Sequence, residues 1–534
     1  MTQPAPRTIT REELRRLYPD SFTVRMRRSI QPVPVQLEGG QMLVLLTDHS
    51  QVAPGQATMG VEMFEIVMAL EAAGSIGALV QQAVAAGMGI DFGDAVRKIV
   101  AELDQALMIE GPQFEAFCQQ YRKIPTRPAV NAGRCYPEDA VACAAAVAEW
   151  RAGKYARVVP TPDGLDEETP TEAAEELRAP AVAPASKLGA QLLNPQASPG
   201  LKQTKGGILV PAGFEDLDEE EPVPAEAAPE DAAADAAMAD PDDPANAPPP
   251  IVTEPAQSAR AAGDARRVVG MVAPHIDLRR GGPCVAAAYR ELRRPDGSYP
   301  ALAVVLGTCH HPTRNLATTT GKTFTTPLGD VEVQPAALQA FAKALPFDPF
   351  EEEYLFMADF PCEFQALFLA DLNARDQAKM QILPVIVGSL EGAGCGMNLA
   401  DADPHSAEPV QAVVRAIQAA VAAVGGDAVV IASADLSHVG ERFENPPVTP
   451  ELLKEVQASD LEALAKLETV DADGFAAAVL KPGNPTNICS TAVIYLTAAA
   501  LAKVATRGRL IRHEISPESS SQSAVSFASL VLEG

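Results

Sequence analysis

A chain of 534 residues, 47% of them hydrophobic, is long enough for two to four domains and apolar enough for substantial cores. Its formal charge of −28 is concentrated: residues 161–259 hold 21 acidic residues against 4 basic ones, so the remainder is only mildly acidic. Nothing resembles the basic stripe that nucleic acid requires, no stretch reaches the about eighteen uninterrupted apolar residues of a membrane span, and eight cysteines without a CxxC pair argue against a disulfide framework or a zinc ribbon.

The amino terminus, MTQPAPRTITREELRR, lacks a signal peptide's apolar segment, and a cytoplasmic location is expected. Residues 1–124 read as a small α+β domain. PVPVQL and MLVLLTD flank Gly39-Gly40, a hairpin signal. Apolar residues at three and four spacing then predict helices over 61–73, 75–86 and 92–108, the last with Asp91 and Asp94 at its positive end. The acids of DAVRKIVAELDQALMIEG disfavour DNA contact, and His49 reads as an ordinary turn residue. The order of hairpin and helices, with Leu103, Leu107, Met108 and Gly111, resembles the winged-helix, PqqD-like modules that hold peptides in bacterial maturation systems. A helical docking domain for another partner is the alternative.

Residues 125–158 change character. NAGRCYP at 131–137 has turn chemistry, and small apolar residues from Ala140 to Trp150 predict a helix. Residues 159–264 are rich in Pro, Ala, Asp and Glu and bury too little apolar surface to fold, so they are expected to form a disordered acidic insertion. The island GGILVPAG within it could dock elsewhere.

From 265 to 534 strands alternate with helices. Strands are expected at 267–273, 301–307, 381–388, 428–434, 509–515 and 523–532. Helices are expected near 283–292, 335–344, 362–373, 407–424, 450–467, 473–479 and 490–504. This pattern predicts an α/β fold with a mostly parallel central sheet flanked by helices, the last two strands forming an antiparallel edge.

Three of those strands run straight into histidine. Val268 to Ala273 leads to Pro274 and His275, ALAVVLG to Thr308, Cys309, His310 and His311, and AVVIASA to Asp435, Leu436, Ser437 and His438. Four of only seven histidines follow apolar runs in this way, at the strand ends where open α/β sheets bind ligands. Imidazole is the commonest transition-metal ligand, so the recurrence points to one metal site. Cys489, in NICS before the apolar run STAVIYLTAAALA, lies at a helix start, where amide groups lower a thiol's pKa and offer a soft ligand. His438, beside Asp435 on a short turn, suits proton transfer. Asp277 and Glu363 are candidates to orient ligands from behind, as is His311, with capping or pairing to Arg279 or Arg280 as the alternative use of the acids. His405 in a polar loop and His513 within a strand are not favoured as ligands, and Cys309 is expected to pack.

The motifs NAGRCYP (131–137), APHID (273–277), LGTCHH (306–311), ILPVIVG (382–388), ASADLSHVG (432–440), NICS (487–490) and QSAVSFAS (522–529) resemble, in order and spacing, the MEMO family, called in bacteria AmmeMemoRadiSam system protein B. The resemblance covers about 127 to the end, which makes the acidic stretch an insertion after the domain's first helix. It implies a fold like that of LigB-type class III extradiol dioxygenases and a pocket for iron(II) or copper. By motif it places His275, His310 and Cys489 at the metal and Asp435 and His438 beside it. It also implies a radical SAM protein and an AMMECR1-like protein as partners. Asp277 and Leu278 stand where the family has glycine and tyrosine, and FPCEFQAL keeps only Glu363 of its HSxExHLP helix. Two readings follow: a dioxygenase-like oxidoreductase acting on a small molecule or peptide, or a metal- or peptide-binding partner without turnover in a radical SAM maturation system.

Overall fold

The computed structural model describes residues 10–36, 42–50, 52–89, 91–155, 201–203, 209–211, 250–254, 266–391, 395 and 403–534. The described residues up to Tyr121 belong to one compact unit, and those of 122–155 belong with 250–254, 266–391, 395 and 403–534 to a second. Among the described residues no single helix is long and apolar enough to cross a membrane.

The first unit begins with a capping box: the Glu13 carboxylate accepts the Thr10 N–H at 2.9 Å while Thr10 Oγ1 accepts the Glu13 N–H, which starts the helix Arg11–Leu17. Strands β1 (Ile30–Gln36), β2 (Met42–Asp48) and β3 (Ala57–Gly60) form an antiparallel sheet in that order. Gln36 pairs with Met42, so the ladder brackets the expected hairpin, whose Gly39-Gly40 turn lies outside the described residues. Helices Val61–Ala73, Ile76–Ala85 and Phe92–Gln105 follow, and Leu46, Ile76, Val96, Val100 and Ile109 meet in the core. The third helix stops before the expected 108 because Leu107 turns left-handed at φ 56°, held by the Arg27 guanidinium, which donates to its carbonyl at 2.6 Å. Arg27 is in turn paired with Asp48 at 3.0 Å, both fully enclosed.

The second unit contains the strands β4 (Thr126–Arg127), β7 (Ile251–Thr253), β8 (Val268–Ala273), β9 (Leu302–Thr308), β10 (Ala317–Thr319), β11 (Thr323–Phe324), β12 (Gln381–Val387), β13 (Ala428–Ser433), β14 (Asp435–Gly440), β15 (Arg507–Glu518) and β16 (Ser523–Glu533). Leu201–Gln203 (β5) and Leu209–Pro211 (β6) pair only with each other, and β11 pairs with β4. The acidic stretch expected to stay unfolded lies almost wholly outside the described residues.

Nine strands make one sheet in the order β10-β12-β9-β13-β8-β16-β15-β7, with β14 paired to β16. The sheet is mixed where a mostly parallel one was expected. Only β12, β9, β13 and β8 run parallel to one another, and every other pairing in it is antiparallel. The short link between β15 and β16 permits only a hairpin, because a parallel crossover needs a dozen or more residues. The four parallel strands are apolar except for Thr308, Gln381 and Ser433 at their ends, because helices cover both faces. On one face Val304, Leu306, Val430 and Ala432 meet the helices Pro335–Ala344, Glu408–Ala423, Ala472–Leu480 and Thr491–Leu501. On the other, Ala303, Val305, Val429 and Ile431 meet Ala140–Arg151, Leu278–Arg290 and Pro361–Asp376. There Trp150 stacks on Phe368 with ring centroids 6.0 Å apart.

Arg127 and Glu363 fasten the segment before the acidic stretch to this layer. Both side chains are 1% exposed and ion-paired. The Glu363 carboxylate also accepts the Asn131 N–H at 2.9 Å and the Tyr136 hydroxyl, so it ties down the NAGRCYP loop. Glu363 therefore serves this loop instead of orienting a metal ligand.

Candidate metal centre

Register brings the site together. Ser433 of β13 is level with Ala273 of β8 and Gly307 of β9, so three parallel strands end side by side at one rim. Two residues beyond β8 comes His275, two beyond β9 comes His310, and two beyond β13 comes Asp435. Cys489 arrives from across the sheet, just before the helix Thr491–Leu501 and its N-cap Ser490.

Ligand atoms of His275, His310 and Cys489 all lie within 4.8 Å of one another. His275 Nε2 stands 3.9 Å from Cys489 Sγ. His275 is buried and Cys489 half-buried, while one part of His310 reaches solvent and gives the cluster an accessible side, the rest of its ring being packed against His275 and Phe360. The His275 and His310 rings meet edge to face at 5.2 Å, and Phe360 stacks on His310 at 4.9 Å, walling the cluster with carbon.

Hydrogen bonds decide which nitrogen of His275 is bare. Nδ1 lies 2.8 Å from the Ser433 carbonyl, which can only accept, so Nδ1 carries the proton and Nε2 presents its lone pair to the cluster. The Gln365 side-chain amide donates to the Pro274 carbonyl at 3.0 Å and to Ser433 Oγ at 2.9 Å, bracing the backbone on both sides of that bond. Asp435 Oδ1 accepts the main-chain N–H of His275 at 2.9 Å and of Ile276 at 3.0 Å, while Oδ2 stands 3.7 Å from His275 Nε2. His438 Nδ1 is 2.9 Å from the Leu436 carbonyl, which leaves its Nε2 as the acceptor.

Electrostatics favour neutral nitrogen donors. Burial pushes His275 down to about 3 and lowers His310 as well, with the neighbouring imidazoles His275 and His438 adding to the effect. Burial raises the Asp435 carboxyl to about 6 against the opposing influence of His438. The thiol of Cys489 reverses the expectation from its helix. Loss of water around the sulfur outweighs the helix start, and with the Asp435 charge it pushes the thiol up to about 12. A bound cation inverts that balance, because a coordinating thiol is deprotonated outright. Two imidazoles with bare nitrogens, a soft sulfur and an open side form a donor set that fits a transition metal.

The other candidates have different tasks. Asp277 caps the helix Leu278–Arg290, accepting from Arg279 N at 2.8 Å, and pairs with the Arg279 guanidinium. His405 is exposed, 3.5 Å from Asp473, and His513 is buried against Asp460 at 3.0 Å. His49 meets Gln31 at 2.6 Å. His438 stands on a strand, β14, and not on the expected short turn. Sequence reasoning missed Ser433, Gln365, Ser490 and Phe360. The first two carried a signal, being polar residues inside the apolar runs AVVIAS and FPCEFQALFLA.

The chain is 27% identical over 270 residues to a MEMO1 family protein of Thermus thermophilus, an alignment covering 51% of this chain and 73% of that protein. The profile of Memo-like proteins matches residues 252–531, a span that contains His275, His310, Asp435, His438 and Cys489. More than half of the sequence is matched, and the chain belongs to the Memo-like protein family.

Proposed function

We propose that the second unit binds a redox-active metal through His275, His310 and Cys489, iron(II) foremost and copper as the alternative, and that it is a dioxygenase-like oxidoreductase of LigB type acting on a small molecule or peptide. The observation that carries this reading is the convergence of two imidazoles and one thiol within 4.8 Å, contributed from three separate parts of the fold. A bound iron or copper ion supplies one-electron chemistry toward dioxygen or substrate. The chain's own residues do the rest. His275 is locked in the ligating tautomer by Ser433, and His438 offers Nε2 as a proton acceptor. Asp435 fixes the backbone at His275 by accepting its main-chain N–H and that of Ile276, and keeps Oδ2 facing the cluster. Phe360 keeps water from one side of the imidazoles.

The test is anaerobic purification with metal analysis of the wild type, His310→Ala and Cys489→Ala, followed by dioxygen uptake with candidate substrates. Near-stoichiometric metal in the wild type and its loss in both variants is expected. Equal metal in all three removes the ligand assignment.

A second reading is a partner without turnover, which holds a metal or peptide beside a radical SAM protein and an AMMECR1-like protein. Val33 on the edge strand β1 is 38% accessible, and an extended peptide can add to such an edge on a PqqD-like first unit, which favours this reading. Metal uptake without substrate-dependent dioxygen consumption, together with peptide binding by the full chain, would select it.

A further inference from the structure

Asp435 and His438 are three residues apart on one strand, where alternation of side chains should send them to opposite faces. The register of β14 nevertheless turns both to the same side. Asp435 Oδ2 is 3.7 Å from His275 Nε2. The β14–β16 ladder shows how. Asp435 pairs with Phe527 and His438 with Val525, so three steps along β14 match two along β16 and one extra residue is accommodated in between.

Side chains hold this bulge where the ladder is interrupted. The Ser437 main-chain N–H donates to Ser526 Oγ at 2.9 Å, and the Ser437 hydroxyl donates to Asp460 Oδ1 at 2.6 Å. The other Asp460 oxygen accepts from Ser526 Oγ at 2.5 Å and from His513 Nε2 at 3.0 Å. Ser437, Asp460 and His513 are 0% exposed. His513 Nδ1 is buried and meets no hydrogen-bond partner among the described residues, while Nε2 is directed at the carboxylate. One carboxylate from the helix Pro450–Glu468 thus gathers β14, β15 and β16 at the bulge. The same bulge places the Leu436 carbonyl 2.9 Å from His438 Nδ1 and thereby sets which nitrogen of His438 is bare.

We propose that Asp460, supported by His513 and Ser526, is the positioning residue that holds the Ser437 bulge and so turns His438, in its Nδ1–H form, into the same pocket as Asp435. The inference takes the pocket's function from the metal reading above, but its test does not need the metal. Ring-nitrogen NMR of metal-free, full-length protein at slightly alkaline pH reports the tautomer of each histidine in the wild type, Asp460→Ala, Asp460→Asn and Ser437→Ala. The expected result is that His438 passes from the Nδ1–H form to a mixture of tautomers in the variants. His275 stays unchanged, since its partner Ser433 lies on β13. Should Asp460→Ala not fold, Ser437→Ala removes a single hydroxyl and carries the same comparison. An unchanged His438 in the folded variants, or an equal change at His275, would overturn the assignment. Metal analysis of the same samples should show wild-type content, because the three proposed ligands are untouched. A wild type that takes up no metal sinks the metal reading and leaves the tautomer result standing.

Discussion

His275 and Ser433 lie at the ends of adjacent parallel strands, and the imidazole Nδ1 of one is 2.8 Å from the main-chain carbonyl of the other. That bond aims the His275 Nε2 lone pair at Cys489, and Gln365 braces it through Ser433 Oγ and the Pro274 carbonyl. Groups that orient a ligand from behind typically contribute about 10–100-fold in metal affinity. Gln365→Leu should therefore weaken metal binding by about that factor, measured by chelator competition, with little change in fold by circular dichroism. Unchanged affinity would show that the strands alone hold His275.

Metal uptake should depend on pH with a sign set by sulfur. The Cys489 thiol, pushed up to about 12 by burial and by Asp435, stays protonated at neutral pH. His275, pushed down to about 3 by burial, is already unprotonated there. Binding as thiolate releases one proton while the imidazole releases none, so affinity should rise about tenfold per pH unit between about pH 7 and 9. The rise should flatten in Cys489→Ala. A flat profile in the wild type would mean that the sulfur does not ligate as thiolate.

Removing one member of the Arg127–Glu363 pair strands the other charge in the core, since both are 1% exposed. Breaking such a pair costs about 3–5 kcal/mol. Glu363→Ala should lower unfolding free energy in urea by that order. It should also open the 127–136 loop to protease, because Asn131 and Tyr136 lose their acceptor. Loss of stability without new cleavage in the loop would refute the tethering role.

Gly307, on β9 three residues before His310, has no room for a methyl group. A Cβ there would stand 2.7 Å from Cys362 Sγ and 3.1 Å from Pro361 Cβ, at the start of the helix that follows Phe360. Gly307→Ala should destabilise by about 1–3 kcal/mol through overpacking. It should also weaken metal binding by displacing Phe360 from the His310 ring. Wild-type affinity in a destabilised variant would show that the helix start yields without moving Phe360.

The local pattern of residues was enough for most of the second unit's elements. Six expected strands and six of seven expected helices agree with the structure to within a few residues, because solid apolar runs and three-to-four spacing report burial directly, while the helix expected from 283 begins at Leu278. The recurrence of histidine after β8 and β9 likewise pointed to one rim. Pairing order was not legible, since strand direction depends on partners distant in the chain, and β14 was read as a turn because its ladder is broken at Ser437. Nor was the state of Cys489 legible. Its neighbours in sequence describe a helix start, which lowers a thiol's pKa, while the surrounding fold removes water and adds Asp435, which raises it. Sequence alone determined which residues carry chemistry and at which strand ends they stand. Tertiary structure decided their protonation, their tautomers and the side each one faces, because those depend on desolvation and hydrogen bonds between segments as far apart as residues 275 and 489.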